Sequence, residues 1–391
     1  MKRVSYETRF LTPGFIGGSD QTKAELTANG IRGQLRWWFR AVAGGRFAGD
    51  LVRVSRLETR LFGATEHQSA LRVVVTKQPQ RSMDAFPRRG LDASGIASRA
   101  GLPPGAAGRL VITKDGREVP TNAIAYLGFG PVSWNGTTAR QYAVPGESSS
   151  FFIQYRGLDI EAEEILSDTV WAWMNLGAIG SRARRGYGSF SCTSVERTGN
   201  LDRHDVNGLS PVCADTATFE AGCLALFARN VIPGHTETPE WSHFSANAAV
   251  FRAAEPMRNW ADAMTAAAAW LIAFRRRYGM GTGADYDWLK ASTATGMPHR
   301  SGFGLPLPFG KGDDLIVNWG GGRRASPLLL RIANFGEDFY PVFTHLPARF
   351  LPPRASMRFR RFSALPSTAH TQIVSDFLAE LANRGRIARI V

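Results

Sequence analysis

The chain has 391 residues, enough for two ordinary domains, and the apolar and aromatic content of a folded protein rather than a disordered one. Its formal net charge is +14 and arginine far outnumbers lysine. The guanidinium fork matches phosphate, so this balance points to nucleic acid or another polyanion as partner. There is no uncharged apolar run of membrane-spanning length and no hydrophobic signal region in MKRVSYETRF, which predicts a cytoplasmic protein without a membrane partner.

In chain order, residues 2–11 read as a strand leading into the glycine-rich turn TPGFIGGSD. GIRGQLRWWFRAVAGG (30–45) follows as a helix, and a second helical stretch ends in LETRLFG, with Gly63 as its cap. SALRVVVTK (69–77) reads as a buried strand. From Pro79 to about residue 125 the composition turns rich in Pro, Gly, Ala and Arg, which marks an insertion outside the core. Within it RLVITKDGREV forms a hairpin turning at Asp115-Gly116.

Strand SSSFFIQYRGL, helix EAEEILSDTVWAWMNLGAIG, loop SRARRGYG and strand SFSCTSVE then complete a βαββαβ order. The polar stretch Thr198–Pro211 reads as the domain boundary. The second half opens on TFEAGCLALFARN, read as a strand. It continues with the long helix EPMRNWADAMTAAAAWLIAFRRRYG and several short strands, and closes on helix TQIVSDFLAELANRG. The predicted fold class is α+β: two ferredoxin-like (RRM-like) domains in tandem, residues 1–200 and 212–391, the second more irregular.

Two segments carry the functional signal. At 3.6 residues per turn, Ile31, Leu35, Trp38, Phe39 and Val42 share one face of the first helix. Arg32, Arg36 and Arg40 form a neighbouring stripe with no acid among them, so the helix itself offers no compensating charge. Those arginines either face a polyanion or are solvated or paired elsewhere, for example with Glu58 or Asp20. Trp37 falls beyond the stripe and needs a loop, another subunit or a stacked base. In GAIGSRARRGYGSF, Gly180, Gly186 and Gly188 frame Arg182, Arg184 and Arg185, with Tyr187 as a stacking surface. Glycines there permit backbone amides to approach a bound anion.

The G-x5-G-x-G loop at Gly180–Gly188 resembles that of the RAMP proteins of CRISPR–Cas systems. TPGFIGGSDQTKAEL, the arginine–tryptophan helix, ETRLFG (58–63), FGLPLPF (303–309) and RRASPLLLR (323–331) are similar to the first-named RAMP subunit of the type III-B (Cmr) effector. Residues 79–125 and 198–250 carry no such likeness. The resemblance implies a subunit of an RNA-guided complex whose partners are guide RNA, target RNA and other RAMP subunits. It would cap the end holding the 3′ part of the guide, and it would not be the nuclease. The RNA-binding set is then Lys23, Arg32, Arg36, Trp37, Arg40, Gly180, Arg182, Arg184, Arg185, Gly186, Tyr187 and Gly188.

No catalytic residue, metal or cofactor is expected. The seven histidines are scattered, from His67 to His370, without a repeated partner, and Cys192, Cys213 and Cys223 lack metal spacing, which fits buried reduced thiols. HRSGFGLPLPFGKGDD lacks the phosphate-loop spacing. Asp20 is a lone acid near the basic face, better suited to capping the next helix than to holding a metal. The alternatives are a metal-dependent endoribonuclease using Asp20 and a purely structural assembly subunit.

Overall fold

The computed structural model describes residues 1–20, 22–85, 111–114, 117–120, 123–133, 137–199, 209–279, 285, 298–308, 314–317, 322–351, 355–359, 362–365 and 371–391. The core of the predicted insertion, the Asp115-Gly116 turn, the centre of the 198–211 linker, His204 and His370 lie outside the described residues.

In the first half, β1 (Lys2–Phe10), α1 (Ala28–Arg46), α2 (Leu51–Phe62) and β2 (Leu71–Lys77) come first. Strands β3 (Ser82–Ala85), β4 (Val111–Lys114) and β5 (Arg117–Pro120), the short helix α3 (Ala123–Leu127) and β6 (Thr137–Ala143) follow. Then come β7 (Ser148–Tyr155), α4 (Ile160–Leu176) and β8 (Phe190–Gly199). The main sheet has the order β2-β7-β1-β8 and is antiparallel throughout. The predicted β4–β5 hairpin is formed, and β3 pairs with β6. Strand β2 is an edge strand and only Leu71 in it is buried, so SALRVVVTK is not the buried strand its composition suggested. A β-branched run looks the same at an edge as in a centre, because propensity reports a pleated, half-buried surface and not position in the sheet.

The second half contains α5 (Thr216–Asn230), β9 (Ala249–Ala253), α6 (Trp260–Gly279), a 3-10 turn His299–Phe303, β10 (Leu307–Pro308) and β11 (Asp314–Val317). It ends with β12 (Leu328–Phe335), β13 (Asp338–His345), β14 (Met357–Phe359), β15 (Phe362–Leu365), α7 (Ile373–Asn383) and β16 (Ile387–Arg389). Its main sheet runs β12-β13-β9-β16, again antiparallel, and β10, β11, β14 and β15 form a separate sheet. The stretch TFEAGCLALFARN is helix α5 and not a strand. Asp215 caps it through the Thr218 amide at 2.7 Å, and Phe219, Gly222, Cys223 and Leu226 recur at helical spacing on its buried side.

The halves share one core. Helix α5 packs on α1 and α4, where the buried Asp168 carboxylate meets Arg46, Arg229 and Asn230. Burial dominates at Asp168 and raises its carboxyl above the usual range despite those partners. Cys192 and Cys223 are buried and Cys213 half-buried, all three free; burial pushes the Cys192 and Cys213 thiols up to about 12. That environment keeps the thiols protonated and inert.

Candidate nucleic-acid interface

Helix α1 is fixed on one side by its apolar face. Ile31, Leu35, Trp38, Phe39 and Val42 are all essentially without exposure, as the spacing predicts. Fully burying side chains of this size is worth about 1.5–3 kcal/mol each. Thr27 caps the helix, its Oγ1 accepting the Gly30 amide at 3.0 Å. Asp20 does not cap it: its carboxylate closes a local turn onto the Thr22 amide and hydroxyl. Those bonds, with Lys23 at 3.3 Å, hold Asp20 below the usual carboxylate range. Lys23 is therefore committed to a neighbouring exposed acid and makes no ion pair with another group among the described residues.

The arginine stripe is compensated within the fold. Arg40 donates through Nε and Nη2 to Glu58 at 2.7 and 2.6 Å, and Arg36 Nε donates to the same carboxylate. Burial alone would raise the Glu58 carboxyl, but the bonds from Arg40 and Arg36 outweigh it and hold it low. Arg32 Nη2 donates to the Phe62 carbonyl at the C-terminus of α2, where the helix dipole favours a cation. Each arginine still has an open side, for the Arg36 and Arg40 side chains are 43% and 50% exposed. Gly33 is exposed on the same helix, and a Cβ there would meet nothing within 4 Å, so backbone lies open beside the stripe.

The glycine loop reaches this helix from the other side. Arg184 places its guanidinium 4.5 Å from the centre of the Trp37 ring, and its Nη1 donates to the Ser326 carbonyl at 2.8 Å. Trp37 is half-buried, edge-on to Trp38 at 4.9 Å. A neighbouring loop thus meets the need that sequence had left open between loop, subunit and base. Arg182 sits at φ +61 and is exposed, and its Nη2 donates to the Phe129 carbonyl. Burial lowers the Arg184 and Arg185 guanidinium groups to about 10, still cationic at neutral pH; for Arg185, Arg275 adds to the effect. Among the described residues no carboxylate pairs with Arg182, Arg184 or Arg185.

Two expectations for this loop are corrected. The Gly186 and Gly188 amides, and that of Ser181, are not open to a ligand. Gly186 donates to the Leu330 carbonyl, Gly188 to Pro13 and Ser181 to Phe15, at 2.8–2.9 Å. The glycines are there because the chain turns in the left-handed region and passes close to other backbone. A Cβ on Gly180 would lie 2.4 Å from the Phe15 carbonyl oxygen, and one on Gly188 only 1.8 Å from that of Ile179. Tyr187 is not a stacking surface either. It is fully buried against Phe15 and donates its hydroxyl to the Ile124 carbonyl at 2.7 Å. A tyrosine between glycines reads as accessible only while the helix α3 and the Phe15 segment that cover it are unknown.

The loop also ties the halves together. Leu330 of β12 donates back to the Arg184 carbonyl at 3.1 Å, and the Ile332 amide donates to Ser189 Oγ at 3.0 Å. Buried Arg331 reaches across to the carbonyls of Met174 and Phe190. Leu305 and Arg324 pair backbone to backbone, so the two proline- and glycine-rich motifs of the second half converge behind the glycine loop. Arg324, its guanidinium lowered to about 10 by burial and by Arg184, joins Arg275 as a basic neighbour that sequence reasoning missed. Phe129, 56% exposed beside Arg182, was missed as well. None of the three has a local signal, because their neighbours come from distant segments.

His299 has a partner that its sequence neighbourhood does not reveal. Its Nδ1 lies 3.3 Å from buried Asp285, which also accepts from the His299 amide and from Arg300. No group of three or more His, Cys, Asp or Glu side chains suited to a metal occurs among the described residues. No helix among them is long and apolar enough to cross a membrane.

Residues 8–191 match the RAMP superfamily. The chain is 24% identical over 196 residues to the CRISPR system Cmr subunit Cmr1-2 of Pyrococcus furiosus, covering 48% of this chain and 94% of that protein. It is 26% identical over 167 residues to Cmr1-1 of the same organism, covering 42% of this chain and 40% of that one. The crystal structure of apo Cmr1 from P. furiosus aligns over 100% of this chain and 99% of its own, with a TM-score of 0.57 and 17% identity. A chain of the type III-B Cmr-beta complex bound to cognate target RNA aligns over 98% of this chain and 99% of its own, with a TM-score of 0.50 and 11% identity. Over residues 8–191 the chain is thus similar to RAMP superfamily proteins, and its fold resembles that of Cmr1 from P. furiosus along its length.

Proposed function

We propose that the chain is a non-catalytic RNA-binding subunit of a cytoplasmic type III-B CRISPR effector complex. In this reading it caps the end that holds the 3′ part of the guide RNA, contacts other RAMP subunits and helps engage target RNA in antiviral defence. Its two halves, 1–200 and 212–391, are tandem ferredoxin-like domains, a reading supported by their equivalent strand orders. The observation that carries the proposal is the meeting of Arg184 with Trp37. It brings a carboxylate-free arginine loop onto the helix that carries the arginine stripe.

Phosphate contacts of this kind position a strand without reading its sequence. RNA affinity should fall with salt by a slope of about −0.7 per phosphate neutralised. Arg184→Glu or Arg36→Glu should weaken binding to every single-stranded RNA tested, measured by fluorescence anisotropy. Unchanged binding in both variants would remove the RNA-face reading. The absence of catalysis is supported by Asp20 being spent on its own turn. RNA cleavage in Mg2+ or Mn2+ that stops on Asp20→Ala would replace this reading with the endoribonuclease one.

A further inference from the structure

Helix α2 turns Glu58 and Val54 inward, and its opposite side forms one wall of an open groove. The groove holds about 1020 Å3 and runs past Leu51, Val52, Arg56, Arg60, His67 and Arg156, beside the segments that lead into β2 and out of β7. Arg56 and Arg60 lie roughly 160° around the helix from Glu58, so this wall faces away from the Arg36–Glu58–Arg40 cluster.

Two properties coincide here. Leu51 and Val52, adjacent at the start of α2, are 62% and 69% exposed and both line the groove. Large aliphatic side chains so bare and so close together mark an interaction site more often than an ordinary surface. The groove also has no carboxylate in its lining. Arg60 is held by Asp159 at 2.6 Å, whereas Arg56 and Arg156 make no ion pair among the described residues.

We propose that this groove docks a protein partner through an acidic segment bearing aliphatic anchor residues. Leucine-like anchors would cover Leu51 and Val52, and carboxylates would meet Arg56 and Arg156. An apolar centre with a charged rim is the anatomy of a protein interface. RNA would use the arginines but gain nothing from covering bare aliphatic side chains. The groove is thus a second face, separate from the α1 stripe and independent of what binds there.

The test uses the purified full chain and a fluorescein-labelled peptide of alternating leucine and glutamate pairs, about four helical turns long. A polyglutamate peptide of equal length and a single-stranded RNA serve as comparison probes. The leucine–glutamate peptide should bind more tightly than polyglutamate. Val52→Glu and Arg56→Glu should each weaken it at least about tenfold, with RNA affinity unchanged. Both positions are on the surface, so neither variant threatens folding. Equal affinity for the two peptides, or peptide affinity unmoved by both variants, would overturn the proposal. So would a loss of RNA binding as large as the loss of peptide binding, which would assign the groove to the RNA path.

Discussion

Glu58 controls how much of the α1 stripe is available to a polyanion, and Glu58→Gln isolates that control. The carboxylate is 9% exposed and bridges Arg36 and Arg40. Hydrogen bonds to a charged group are worth about 1.5–3 kcal/mol in dry surroundings. Both arginine side chains are close to half exposed, so solvent screening reduces the loss to about 1–2 kcal/mol of stability. Because the Glu58 carboxyl is held low in the fold, its contribution is complete above the ordinary glutamate range. It is lost as the pH falls through the depressed folded value, so wild type and variant should converge in acid. RNA binding should move the other way. Removing one negative charge beside two cations contributes about 1 kcal/mol to holding a phosphate, or about fivefold in affinity. Up to two further phosphate contacts steepen the salt slope by up to about 1.4. Urea denaturation between neutral and acid pH, and RNA anisotropy over a salt series, read the two effects separately. A variant that folds and binds RNA no more tightly, with an unaltered salt slope, would show that Arg36 and Arg40 do not pass from Glu58 to phosphate.

Arg331→Met should cost about 2–4 kcal/mol in urea denaturation, because it leaves the Met174 and Phe190 carbonyls unpaired inside the seam. Gly188→Ala should cost more than about 3 kcal/mol, since φ is +62 and the new Cβ would press on the Ile179 carbonyl. Gly33→Ala, by contrast, should stabilise the chain by up to about 1 kcal/mol in the same assay, its Cβ entering open space on a helix. His345 is buried, and burial, with Arg324, lowers its imidazole to about 4. The unfolded chain then binds the extra proton between about pH 6.5 and 4, so stability falls through that window by up to about 3 kcal/mol. His345→Gln should flatten that part of the stability–pH curve.

Local periodicity carried much of the first half. The 3.6-residue spacing of Ile31, Leu35, Trp38, Phe39 and Val42 acts through neighbours a few residues away, and the sequence displays it directly. Helix α5 escaped because a short apolar run does not separate strand from helix until its packing partners are known. In the glycine loop, the residue types correctly marked a special backbone, yet the reason differed. Left-handed turns and close contact with residues 13–15 and 179 demand glycine there, not an approaching anion.

What the sequence determined by itself was therefore the inventory: an arginine excess, an amphipathic helix with a second stripe, and a glycine-framed basic loop. Tertiary structure decided which of those charges remain open. Glu58 is separated from Arg36 by a whole helix–turn–helix connection, and Arg184 from Trp37 by most of the first half. Pairings at that distance along the chain depend on how sheets and helices pack, because a charge is neutralised by whatever lies within a few ångströms of it in space.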